Sequence, residues 1–163
     1  MARSLAASLD IPYLELDSVY HQAEWTPLPD GEFQSVVDEF TSQDRWVVDG
    51  NYNSTGVLDL AWERADTVVW LDPPKRVVMS GVTRRTLRRG AKREELWNGN
   101  RESLWSLTKW DPEENIIRWA WTRFEPTRSR YESRTTDPRW SHLEMIRLCS
   151  RADSAAFLMD LDG

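Results

Sequence analysis

Two stretches decide the fold: RWVVDG (Arg45–Gly50) and DTVVWLDPP (Asp66–Pro74). Each is a short, almost continuous apolar run that stops at an aspartate. Such a run suits a strand of a parallel sheet covered on both faces, where no polar alternation is needed. Working outward, each run is preceded and followed by helical patterning. GEFQSVVDEF carries Phe33, Val36, Val37 and Phe40 at i, i+3, i+4, i+7, one face of a helix. Lys75–Arg89 reads as a helix closed by Gly90. SHLEMIRLC reads as a last strand, and Ser150 is placed to cap the closing helix, SRADSAAFLMDL.

The chain opens in the same style. Arg3–Leu9 is a short amphipathic helix with Leu5 and Leu9 on one side, and IPYLELD (Ile11–Asp17) is a strand-like run that again ends in an acid. NYNSTGVLDLAWERA reads as a loop and a short helix. Asn98-Gly99-Asn100 is a turn, Arg101 opens a further helix, and Pro112 starts another over PEENIIRWAWTRF. Short apolar strands alternating with helices predict an α/β domain with a parallel sheet, one domain over 1–163.

Composition narrows the classes. The chain has 163 residues, 40% hydrophobic and 29% charged, with no apolar run approaching the ~20 residues of a membrane span. The lone Cys149 excludes an internal disulfide and a Cys-rich zinc site, and a cytoplasmic setting is expected. The net charge of −6 hides an asymmetry. Residues 1–72 hold 3 basic and 14 acidic side chains, net −11, and residues 73–163 hold the other 18 basic and 13 acidic, net +5. From Pro73 to Arg93 there are eight Lys/Arg and no acid, a cluster suited to phosphates or a nucleic-acid backbone, or else a solvated helix face. Four of the ten tryptophans fall between 105 and 121, for which core and interface packing is the plain expectation.

Ligands of open parallel sheets bind at the carboxyl ends of the strands. Asp17, Asp49 and Asp72 all fall there in this reading, predicting a shared acidic rim; each also has the plain role of capping the next helix. His21, four residues after Asp17, joins it if the strand runs straight into a helical turn, and the pair would orient or deprotonate a substrate hydroxyl. In VVDGNY, Asp49 is placed to hold Mg²⁺ through water, Gly50 to let a ligand approach the backbone, and Asn51 and Tyr52 to touch a substrate, unless this is a simple strand-to-loop turn. Arg84/Arg88 and Arg85/Arg89 form i, i+4 pairs suited to phosphate oxygens, and Arg101 is placed to face the same pocket.

LELDSVYHQAEWTPLPDGEF, RWVVDGNYNST, RADTVVWLDPP, RRTLRRG and ELWNGNRESL follow one another in a way that resembles the adenylate-kinase-like P-loop proteins, often described as DNA topology modulation proteins or AAA-family ATPases. The resemblance spans Met1 to about Leu158, with DGNY and GNRES its more specific parts. It implies a P-loop kinase-like three-layer parallel sheet of order 2-3-1-4-5 and a helical lid over about 84–131. It also implies ATP and Mg²⁺ as cofactors and phosphoryl transfer to a small acceptor such as a nucleotide, nucleoside or polyol. By position, Asp17 and Asp49 resemble the substrate-side and Mg²⁺-side acids, and Arg85, Arg88 and Arg101 the lid arginines.

One departure is large. The sequence contains no G-x-x-x-x-G-K-[ST], and what resembles the helix after that loop begins at residue 2. The first strand, central in the sheet, is missing as well, so the runs at 45–50 and 66–74 would each lack a neighbour. Met1 is therefore expected to be internal to a native chain about 15 residues longer, and the chain as given to be inactive as a kinase. Two other readings remain: a non-catalytic nucleic-acid-binding protein using the Arg/Trp-rich segment, and a partner in an oligomer that completes the sheet.

Overall fold

The computed structural model describes residues 1–92, 94–101, 108, 110–111 and 115–161. The chain is a mixed α/β structure of seven α-helices and four short strands among these residues. In order they are α1 (Ala2–Leu9), β1 (Tyr13–Glu15), α2 (Leu16–Tyr20), α3 (Asp30–Thr41), β2 (Val47–Asp49), α4 (Val57–Arg64), β3 (Thr67–Leu71), α5 (Lys75–Lys92), α6 (Ile116–Thr135), β4 (Glu144–Leu148) and α7 (Arg151–Leu161). The alternation expected from the apolar runs is present, and all strand pairing is parallel. β1 pairs β2 with Tyr13 opposite Val47, and β3 pairs β4 with Thr67 opposite Glu144. Among the described residues these are two separate two-stranded sheets.

That separation corrects the expectation of strands covered on both faces. Val47, Val48, Val68 and Val69 are only half-buried, and Leu71 is 49% exposed. A strand paired along one edge in a two-stranded sheet has too few neighbours to cover it. Burial is concentrated instead where helices meet. Leu16, Phe33, Val37, Val57 and Ala61 form one core, joining α2, α3 and α4 beside the β1–β2 pair. Leu58, Trp62, Trp70, Tyr131, Trp140 and Leu143 form the other, beside β3–β4. Here tryptophan does act as core: Trp62 meets Trp140 edge-on at 5.3 Å, and Trp70 stacks on Tyr131 at 5.5 Å between ring centroids. α4 supplies residues to both cores and so ties the two sheets together.

Several expected boundaries move. α5 runs through Gly90 to Lys92, because a helical glycine costs only about 1 kcal/mol and does not by itself end a helix. α6 starts at Ile116, where the Asn115 carboxamide oxygen accepts from the backbone N–H of Ile117 and Arg118. That is a side-chain N-cap, and the helix continues to Thr135 through Pro126, well past the expected end at Phe124. The expected lid, 84–131, begins inside α5 and ends inside α6, with Tyr131 in the core. Pro112 and most of the helix expected after Arg101 lie outside the described residues. Ser150 behaves as expected: its Oγ accepts from the backbone N–H of Asp153 at 3.0 Å. Among the described residues no helix is long and apolar enough to cross a membrane.

Candidate functional site

β1 hands the chain straight to a helical turn. The strand ends at Glu15 and α2 begins at Leu16, so Asp17 sits in the first turn of α2 and not at a strand end. His21 follows as the residue after the helix, its N–H donating to the Asp17 carbonyl at 3.1 Å. The side chains of both converge on Tyr52, which arrives from the loop after β2. The Tyr52 hydroxyl donates to Asp17 Oδ1 at 2.6 Å and lies 3.4 Å from His21 Nε2. Among the described residues Asp17 Oδ2 accepts no hydrogen bond, which leaves one carboxylate oxygen able to receive a proton donor.

The electrostatics follow from burial. Tyr52 is raised far above the usual phenol value, first by burial and then by its hydrogen bond to Asp17, so it stays protonated and stays a donor. His21 is lowered below 6.5 because burial disfavours the imidazolium, with the Asp17 charge opposing in part. At neutral pH His21 is a neutral imidazole and Tyr52 a phenol. The cluster can accept a hydrogen bond from a substrate hydroxyl at Asp17 and hold a proton at His21.

The aromatic wall around His21 was not legible beforehand. Its ring stacks on Trp97 at 5.9 Å and meets the edges of Tyr20 and Trp25 at 5.2 and 5.3 Å. Trp97 comes from a loop far along the chain, held in place by the Asn98-Gly99-Asn100 turn. Asn98 Nδ2 donates to the carbonyls of Ser18 and His21, at 3.2 and 2.6 Å. Asn100, 4% exposed, accepts from the Trp25 N–H at 2.8 Å and donates to the Gln22 carbonyl at 2.8 Å. The turn expected from Asn-Gly-Asn is thus a clamp between two loops, 21–27 and 95–101, each closed by an isolated antiparallel bridge. Gly99 (φ 79°) and Asn98 (φ 55°) take the left-handed conformation that those residue types tolerate. The Arg89 guanidinium lies 6.0 Å over Trp97, so α5 reaches this wall as well.

The other expected site residues fall elsewhere. The three aspartates do not share a rim. Asp49 ends β2, and its carboxylate accepts from the Tyr13 hydroxyl at 3.2 Å; burial, Asp49 and Glu15 together push that phenol up to about 12. Asp72 belongs to the second sheet, 8% exposed, and is bonded to Arg147 and ion-paired to Arg128 at 3.3 Å. It ties β3 to β4 and α6. Gly50 is filled against, not open: a Cβ there would come 2.7 Å from Cβ of Leu16. Asn51 is exposed, and its Oδ1 accepts from the Tyr131 hydroxyl at 3.2 Å and from Asn53. Arg88 is ion-paired to Glu94 at 3.4 Å and Arg101 to Glu95 at 3.3 Å. Arg84 and Arg85 are exposed on α5 and have no hydrogen bond or ion pair among the described residues.

ATP and Mg²⁺ are not fitted by this donor set. Among the described residues no group of three or more His, Cys, Asp or Glu could hold a metal ion. Asp49 already faces a phenol, two of the lid arginines already face glutamates, and the sequence has no glycine-rich loop ending in Gly-Lys-Ser/Thr to offer phosphate oxygens its N–H groups. No family model, curated protein or solved structure matches this chain.

Proposed function

We propose that this chain carries the acceptor side of a phosphoryl-transfer protein of the P-loop kinase-like kind, with the Asp17–Tyr52–His21 cluster as the acceptor-hydroxyl site. The observation that carries the reading is the shared Tyr52 hydroxyl, which fixes one oxygen of Asp17 beside a neutral imidazole at the carboxyl end of a parallel strand pair. Asp17 would take the acceptor hydroxyl's hydrogen bond at Oδ2 and orient it, and His21 would receive the proton as the hydroxyl reacts. Trp97, Trp25 and Tyr20 pack around the imidazole.

The strand pairing supports the same reading. A sheet of order 2-3-1-4-5 without its central strand leaves two parallel pairs, 2-3 and 4-5. β1–β2 and β3–β4 are two such pairs, in that chain order. The donor nucleotide's side would need a phosphate loop that this sequence does not contain, so binding of an acceptor, not turnover of ATP, is the property to measure. Thermal stabilisation by a panel of nucleosides, nucleoside monophosphates and polyols tests it. At least one class should raise the melting temperature of the wild type and not of Asp17→Asn or Tyr52→Phe, both still folded by near-UV circular dichroism. A panel with no hit, or a hit that both variants retain, overturns the assignment.

A further inference from the structure

We propose that the arm formed by α5 and α6 is a binding surface for single-stranded nucleic acid, separate from the Asp17–Tyr52–His21 cluster and independent of its function. α5 carries seven cations (Lys75, Arg76, Arg84, Arg85, Arg88, Arg89 and Lys92) and no acid over 18 residues. Arg76, Arg84, Arg85 and Lys92 are exposed and have no counter-charge among the described residues. Arg84 and Arg88 stand one turn apart, as do Arg85 and Arg89, and like charges at that spacing destabilise a helix. Only Thr86 of α5 is buried, and α6 is the one element α5 packs against extensively. The guanidinium groups of Arg76, Arg84, Arg85 and Arg88 are exposed. From Arg76 to Arg88 they extend about 18 Å at ~1.5 Å per residue, long enough for several phosphates and too long for one.

Exposed rings of the right kind lie on and before the neighbouring helix, α6. Trp119 is 44% exposed, Trp121 58% and Trp110 81%, although tryptophan is ordinarily well buried. They lie on or just before the first half of α6, away from the aromatic core that Trp62, Trp70 and Trp140 build. Lys75 Nζ sits 4.1 Å over Trp121, and the Arg118 guanidinium 3.8 Å over Trp110. Between the helices runs an open, mainly apolar groove lined by Met79, Ile117, Arg118, Trp121 and Thr122. Cations that track a backbone next to exposed rings on which bases stack are what single strands bind without regard to sequence. The chain's net charge of −6 does not oppose this, because the negative excess lies in residues 1–72.

Fluorescence anisotropy with a labelled 12-nucleotide single strand tests the proposal on the whole chain. If the four uncompensated cations each neutralise a phosphate, affinity should fall about 50-fold from 50 to 200 mM salt, a log–log slope near −2.8 at about −0.7 per phosphate. Arg84→Gln with Arg85→Gln should flatten that slope by about 1.4. Trp121→Ala should weaken binding roughly tenfold and Trp121→Phe should restore it, since any aromatic face stacks. Far-UV circular dichroism checks that each variant keeps its helices. No binding at 50 mM salt overturns the proposal. So does equal affinity for a duplex, or for heparin with no effect of Trp121→Ala, either of which would mean charge attraction alone. Binding to anionic phospholipid vesicles in place of the oligonucleotide would overturn it in favour of a membrane surface.

Discussion

Gly50→Ala tests the corner on which the candidate site rests. Gly50 follows β2 with φ 149°, a conformation that L side chains rarely adopt, and a Cβ there would stand 2.7 Å from Cβ and 3.0 Å from Cγ and Cδ1 of Leu16. Leu16 is fully buried between α2, α3 and α4, so it has no solvent to retreat into. Overpacking of this kind costs about 1–3 kcal/mol. The unfavourable φ adds at least about 1 kcal/mol, and the stiffer unfolded chain returns about 0.4–1 kcal/mol. The net loss should be about 2–3 kcal/mol, read from urea unfolding, or a melting temperature lower by about 4–12 °C at ~2–4 °C per kcal/mol. Leu16→Ala alone should cost about 2–5 kcal/mol by opening a cavity. The double variant should stay less stable than Leu16→Ala, because alanine keeps the Cβ that the new methyl group would meet at 2.7 Å. No loss in Gly50→Ala would refute the close approach. Leu16 adjoins Asp17, so the same variant should also lose whatever acceptor binding the wild type shows.

Three further outcomes are expected. Asn100→Ala leaves the Trp25 N–H and the Gln22 carbonyl without their partner, and should cost about 1–3 kcal/mol in urea unfolding. A red-shifted tryptophan emission should accompany it as the two loops part. Asn115→Ala removes the cap of α6 and should cost about 1 kcal/mol, with Asn115→Asp close to neutral. His21 gives a pH dependence of definite sign. Above pH 6.5 its imidazole is neutral in both folded and unfolded chains; as pH falls below that, the unfolded chain takes up the proton first, so stability drops until the folded imidazole also protonates. His21→Gln should therefore lose less stability than wild type between pH 7 and 5, and NMR titration of the wild type should place this histidine below 6.5.

Several parts of the fold were legible because they are local. The apolar runs at 47–49 and 67–71 form parallel strands, Ser150 caps α7, and of the expected α3 face Phe33 and Val37 are fully buried while Phe40 is half-buried and Val36 exposed. The spacing of Asp17 and His21 also held, since the strand does pass straight into a helical turn. Other expectations failed for a common reason. Gly50 and Asp72 looked like ligand-facing residues at strand ends, but their surroundings come from distant segments: Leu16 for one, Arg128 and Arg147 for the other.

The sequence by itself determined the alternation of helices and strands and the uneven distribution of charge, since both depend on residues close together in the chain. Only the tertiary structure decided which groups meet. It brought Tyr52 to Asp17 and His21, and docked Trp97 through Asn98 and Asn100 about 78 residues away. Those contacts are set by how helices pack across loops, and side-chain packing has no period along the sequence from which it can be read.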